Sequence, residues 1–162
     1  MKPKLITAHM AAAEAYANLS SAIRLKVGCV IVKDNTIIGI GYNGMPSGWD
    51  NQCEDIELAP VDKEVSWYME NNYRWNDIRG AWEKLKTKYQ VLHAETNAIA
   101  KVAKSTNSTD GADMFITHAP CLDCAKLIHQ SGIKNVWFKS HYRDTSGISF
   151  LQKCEIGVNH VG

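Results

Sequence analysis

The chain has 162 residues, 45% of them apolar and 22% charged, with 18 basic against 17 acidic side chains and a formal net charge of +1. That length and balance suit one soluble domain with a packed core and exclude global disorder. There is no apolar run near the ~18 residues of a bilayer span, no signal-peptide pattern and no basic stripe of the kind nucleic-acid polymers attract; a cytoplasmic protein acting on a small molecule, with neither membrane nor nucleic-acid polymer as partner, is expected.

In chain order, Leu5, Met10, Ala13, Tyr16 and Leu19 recur at helical spacing and predict a helix over 5–19. Val27–Val32 and Thr36–Tyr42 read as strands joined by the polar turn Lys33-Asp34-Asn35. They should form an antiparallel hairpin, and their apolar runs suggest burial on both faces at the centre of a sheet. From about Gly44 to Gln90 the rhythm breaks into Gly, Pro, Asp, Asn and the tryptophans Trp67, Trp75 and Trp82. This stretch reads as an insertion, at about 49–90 of a single domain spanning 1–162. Trp75, Ile78 and Trp82 recur at i, i+3 and i+7, which predicts a helix with one apolar face in its second half. A helix over His93–Lys104, a strand over Met114–Thr117, a helix over Cys121–Ser131 and a strand over Val136–Lys139 follow; the C-terminal end reads as less regular. Alternating helices and strands point to an α/β layer architecture.

Five cysteines are an odd number for a reducing compartment, so no disulfide framework is expected. Cys29 sits in an apolar strand pattern and reads as a small buried hydrophobe. Cys121 and Cys124 are three apart at the start of a helix, so both sulfurs face one point, and the helix N-terminus favours their ionised form. His93 and Glu95 open the other helix. One imidazole and two thiolates are good Zn2+ ligands that leave the fourth tetrahedral position for water. Glu95, two residues past His93, is placed for proton transfer rather than ligation.

Each half of this pattern is weak alone: a CxxC also suits a redox pair, and HxE recurs by chance. Together, His93-Ala94-Glu95 followed by Pro120-Cys121-Leu122-Asp123-Cys124 make the H-x-E and P-C-x-x-C signature of zinc deaminases. The stretches Val27–Asp34 and Ile38–Gly48, the latter containing Gly41-Tyr42-Asn43-Gly44, and Ser131-Gly132-Ile133 resemble the deoxycytidylate deaminases of phages and animals.

The resemblance implies a three-layer α/β/α fold with a mixed five-stranded sheet, its N-terminal strands antiparallel, and hydrolysis of dCMP to dUMP, which feeds thymidylate synthesis. It implies one catalytic Zn2+ per subunit on His93, Cys121 and Cys124, with Glu95 as proton shuttle. The Ala94 backbone would contact the pyrimidine beside Thr117 and Pro120, Asn43 the deoxyribose hydroxyl, and Arg24 and Tyr142 the 5′-phosphate. It further implies a homohexamer activated by dCTP and inhibited by dTTP, with Mg2+ accompanying the triphosphate; Gly44, Met45, Pro46, Ser47 and Gly48 are the candidate effector loop. Some phage relatives carry a second, structural zinc, but here Cys53 alone occupies the matching regions, so one zinc is expected. The motif by itself leaves open free cytosine, a nucleoside, guanine or an RNA adenosine as substrate. A purely structural zinc module stays a remote alternative, since such sites usually supply four protein ligands.

Overall fold

The computed structural model describes residues 1–162. Helix α1 (Pro3–Ala17) is followed by strands β1 (Gly28–Lys33) and β2 (Thr36–Tyr42), then β3 (Glu54–Leu58), a short helix α2 (Val65–Glu70), β4 (Arg74–Asn76) and β5 (Ala81–Thr87). Helix α3 (Ala94–Ala103), strand β6 (Asp113–His118), helix α4 (Leu122–Gln130), strand β7 (Asn135–Ser140), helix α5 (Ser146–Lys153) and strand β8 (Gly157–His160) complete the chain. No helix is long and apolar enough to cross a membrane.

The main sheet has the order β2-β1-β6-β7-β8. Strand β1 pairs antiparallel with both β2 and β6, and β7 pairs parallel with both β6 and β8. Alternation along the buried strands sorts side chains between two helical layers. Cys29, Ile31, Met114 and Ile116 face α3, α4 and α5, where they meet Ala98, Ile128 and Leu151. Val30, Val32 and Phe115 face the opposite way, onto Met10 and Ala13 of α1. The mixed five-stranded sheet between helical layers is the architecture expected, and Cys29 is fully buried in it.

Three expectations are corrected. The β1–β2 hairpin forms, with Asp34 and Asn35 in the left-handed conformation of a tight turn, but β2 is an edge strand and β6 is central. The apolar run of β2 serves both helical layers, Ile38 packing on the α3 side and Ile40 on the α1 side, while Ile37 is 39% exposed. Residues 75–82 are not helical. Trp75 and Trp82 are cross-strand partners in a β4–β5 hairpin, with ring centroids 5.8 Å apart. Its turn ends on Gly80 at φ +60, and Ile78 at the tip is 97% exposed. The C-terminal end is regular, since α5 packs on α4 and β8 extends the sheet.

Residues 54–87 form their own three-stranded antiparallel sheet, β3-β5-β4. Its core is aromatic: Tyr68 stacks on Trp82 with centroids 4.8 Å apart, and Trp67 stacks on Tyr73 at 5.9 Å. The sheet is tied to the body where Glu54 accepts hydrogen bonds from the backbone N–H of Ile23 and Arg24, at 3.0 and 3.1 Å. Thr87 also accepts one from the Arg24 guanidinium at 2.9 Å.

Candidate active site

Two helix starts converge at one end of the main sheet. His93 is the N-cap of α3 and Cys121 the N-cap of α4, both extended, and Cys124 lies in the first turn of α4. The approach to His93 is held by a bridge between Gly44 and Leu92, with paired backbone hydrogen bonds of 3.1 and 2.9 Å. Helix α3 is locked onto β2 by the Asn97 amide donating to Tyr42 O at 2.9 Å. The β6–α4 connection is held where Ala119 N donates to Ser140 O at 2.8 Å.

This brings Nδ1 of His93 to 3.6 Å from Cys121 Sγ and 3.3 Å from Cys124 Sγ, with all three donor atoms within 4.8 Å of one another. Nitrogen at ~2.0–2.1 Å and sulfur at ~2.3 Å from a tetrahedral zinc lie about 3.6 Å apart. Donor types and separations therefore fit a zinc ion. The sulfurs also behave as a pair that a cation would bind. Hydrogen bonds from Cys124 and His93 pull the Cys121 thiol down to about 4, so it carries the negative charge. Cys124, hydrogen-bonded to that thiolate and more deeply buried, is pushed upward and keeps its proton. The Cys121 sulfur in turn raises His93.

Glu95 is only 4% exposed, and burial is the main reason its carboxyl is held above the usual range. His93 and Cys124 act on it in the opposite, lowering sense, so the carboxyl lies against the donor cluster.

His93, Ala94, Glu95 and Cys121 line a cavity of ≈ 670 Å³ together with Asn43, Arg24 and Tyr142. Both ends of the Asn43 amide brace the segment before β1: Nδ2 donates to Leu25 O, and Oδ1 accepts from Val27 N, each at 2.8 Å. Thr117 and Pro120 are not among the lining residues. Thr117 Oγ1 instead accepts from Gly28 N at 3.2 Å, and Pro120 is fully buried. None of Gly44–Gly48 reaches the cavity either. Met45 packs with Ala22, Cys53 and Val91 in a small cluster, so Cys53 is a packing residue with Ser21 Oγ 3.4 Å from its sulfur.

The cavity also takes Lys86 from β5, with His141 and Arg143 from the loop after β7. Sequence reading passed over all three. Lys86 lies in a stretch without α/β rhythm, and the two loop residues follow the last regular strand expected, so no local signal marks them.

The family model describing the cytidine and deoxycytidylate deaminase zinc-binding region matches residues 3–140. Deoxycytidylate deaminase of Homo sapiens is 43% identical over 121 residues, covering 72% of this chain and 54% of its own. That of Enterobacteria phage T4 is 36% identical over 132 residues, covering 72% and 68%. The chain thus spans about half the length of the mammalian relatives it matches. A crystal structure of dCMP deaminase from the cyanophage S-TIM5, in complex with dCMP and dUMP, superposes with a TM-score of 0.79 at 38% identity, over 99% of each chain.

Proposed function

Because this chain belongs to the cytidine and deoxycytidylate deaminase zinc-binding family, we propose that it hydrolyses dCMP to dUMP and ammonia. The observation that carries this reading is a single cavity lined by His93, Cys121 and a buried carboxylate, Glu95, together with the exposed cation Arg24. Zinc on His93, Cys121 and Cys124 would supply Lewis acidity, lowering the pKa of a water molecule toward neutrality.

Glu95 is the proton carrier. Shielded from solvent, its carboxyl is basic enough to take a proton from the attacking water and acidic enough to return one to the base, so that the amine leaves as ammonia. Ala94, between His93 and Glu95, offers backbone to the pyrimidine. Asn43 Oδ1 has a second lone pair beyond its bond to Val27 and is the acceptor for the deoxyribose hydroxyl. Arg24, its guanidinium steadied by Thr87, meets the 5′-phosphate, with Tyr142 alongside. Thr117 and Pro120 shape the wall from behind.

The same reading extends to the setting: a cytoplasmic homohexamer that supplies dUMP for thymidylate synthesis, activated by dCTP with Mg2+ and inhibited by dTTP through Gly44–Gly48. Its supports are the family resemblance and the open backbone at Gly44 and Gly48, where an added Cβ would meet nothing within 4 Å. The substrate is tested by comparing turnover of dCMP, deoxycytidine and cytosine on zinc-loaded protein. Only dCMP should be processed efficiently; deoxycytidine turned over equally well would remove the role given to Arg24.

A further inference from the structure

A second groove, of ≈ 1310 Å³, adjoins the catalytic cavity, and the two share Arg24, Lys86 and Arg143. Besides Glu57, Lys84 and Lys86 from the opposite face, its lining takes Arg74, Asn76, Glu83 and Leu85 from the face of the three-stranded sheet that carries Glu54 and Thr87. That face looks back at the body, because Glu54 and Thr87 on it hold Arg24.

The groove's charges are unevenly matched. Glu57 is paired with Lys84 at 2.9 Å and Glu83 with Arg79 at 3.2 Å, so neither carboxylate is free. Asp144, beside Arg143, is committed to the Ser146 N–H at 2.9 Å. Arg24, Arg74, Lys86 and Arg143 make no ion pair, which leaves four unpaired cations in the lining against one unpaired carboxylate, Asp77. They are also strung out in space. Thr87, which grips Arg24, and Glu83, which faces Arg74, are four residues apart on β5, about 14 Å at the rise of a strand.

A monophosphate seated at Arg24 has no use for Arg74 so far along the groove. We propose that the groove is a polyphosphate subsite continuous with the catalytic cavity, and that the chain also deaminates dCDP and dCTP. The proposal rests on the deaminase reading above: the base enters the cavity, the α-phosphate sits among Arg24, Lys86 and Arg143, and the outer phosphates run toward Arg74. In the reaction the water oxygen bonds to ring C4 and the C4–N4 bond breaks. One water proton ends on ring N3 and the other on the departing nitrogen, which leaves as ammonia. The phosphate chain is unchanged and no other reactant is consumed.

The test is a product analysis on the zinc-loaded full chain, in Mg2+ buffer, with dCMP, dCDP, dCTP and a short oligodeoxynucleotide ending in a 3′ deoxycytidine. Wild-type protein is compared with Arg74→Gln and Arg74→Lys; Arg74 is exposed on an edge strand outside the catalytic cavity, so its replacement does not threaten folding. The expected products include dUDP and dUTP, which separates turnover from any activation by dCTP. Arg74→Gln should raise KM for dCTP about tenfold, the loss of one charge-assisted contact, and leave KM for dCMP unchanged, with Arg74→Lys between. If dUMP forms but dUDP and dUTP do not, the proposal is overturned while the deaminase reading stands. Equal effects of Arg74→Gln on dCMP and dCTP, or an oligonucleotide preferred over dCTP, also overturn it. If dUMP itself does not form, the deaminase reading falls first.

Discussion

Gly41 lies on β2 beneath α3, the helix that opens with His93 and Glu95, and a Cβ added there would sit 2.0 Å from Ala94 O and 2.7 Å from Ala98 N. These are backbone atoms and cannot rotate aside, so the helix must move. Relieving the 2.0 Å approach to the 3.4 Å of ordinary contact takes a displacement of about 1.4 Å. Overpacking of this kind costs about 1–3 kcal/mol of stability. The larger consequence is for chemistry, because Ala94 sits between His93 and Glu95, and a misplacement of ~1 Å can cost on the order of 100-fold in rate. Gly39→Ala is the internal control. Its methyl would meet Val102 Cγ2 at 2.4 Å, the end of a side chain that can turn away, and Ala98 O at 3.2 Å, one helical turn beyond Ala94. Thermal melts and dCMP turnover of both variants, zinc-loaded, should therefore show Gly41→Ala far more damaged in kcat than Gly39→Ala. A Gly41→Ala protein with wild-type kcat, or the reverse order, refutes the reasoning.

Three further outcomes follow from the same coordinates. Glu95→Gln should lower kcat by about 10²–10⁴-fold, the usual worth of a positioned proton carrier, while zinc per chain measured by atomic absorption is unchanged; undiminished turnover would strip Glu95 of that role. His9 is buried against Phe115, its Nε2 has no hydrogen-bond partner, and burial holds its pKa below the ordinary histidine value. As pH falls below ~6.5 the unfolded chain therefore takes up a proton that the folded chain refuses, and stability drops. His9→Leu should abolish that part of the Tm decline, and matching pH slopes in the two proteins would contradict it. Trp82→Ala removes the partner stacked on Tyr68 and should cost about 3 kcal/mol, confined to the small sheet. Hydrogen exchange should quicken across residues 54–87 while β1 and β6 stay protected; equal loss of protection in both sheets would mean that they unfold as one.

Local periodicity made the main sheet legible where one residue pattern had one structural cause. β1 is buried on both faces and reads as a continuous apolar run, and α3 and α4 begin on His93 and Cys121, whose chemistry marks the helix starts. Periodicity misled where two causes give the same pattern. Trp75 and Trp82 are seven apart, which fits two helical turns, yet the Asn76–Gly80 segment between them is turn chemistry that brings the rings together across a hairpin. In β2 the apolar run splits between the two helical layers, Ile38 toward α3 and Ile40 toward α1, although the strand lies at the sheet edge. The C-terminal α5 and β8 are eight and four residues long, too short for period alone to announce.

Four groups of the candidate site, His93, Glu95, Cys121 and Cys124, were readable because they fall in two short motifs. Of the cations in the cavity only Arg24 was named in advance; Lys86 and Arg143 come from two other segments and join it only when the small sheet docks on the body. Thr117, which the family resemblance placed beside the pyrimidine, turns the other way to accept from Gly28, a choice set by strand pairing rather than by local sequence.

The most direct test is ammonia release from dCMP, followed in one preparation as zinc is titrated from metal-free protein to excess. Three ligands from one chain beside one buried carboxylate require activity to rise in proportion to bound zinc and to saturate at one ion per chain. Turnover that is indifferent to zinc, or that needs a second equivalent, would contradict the account.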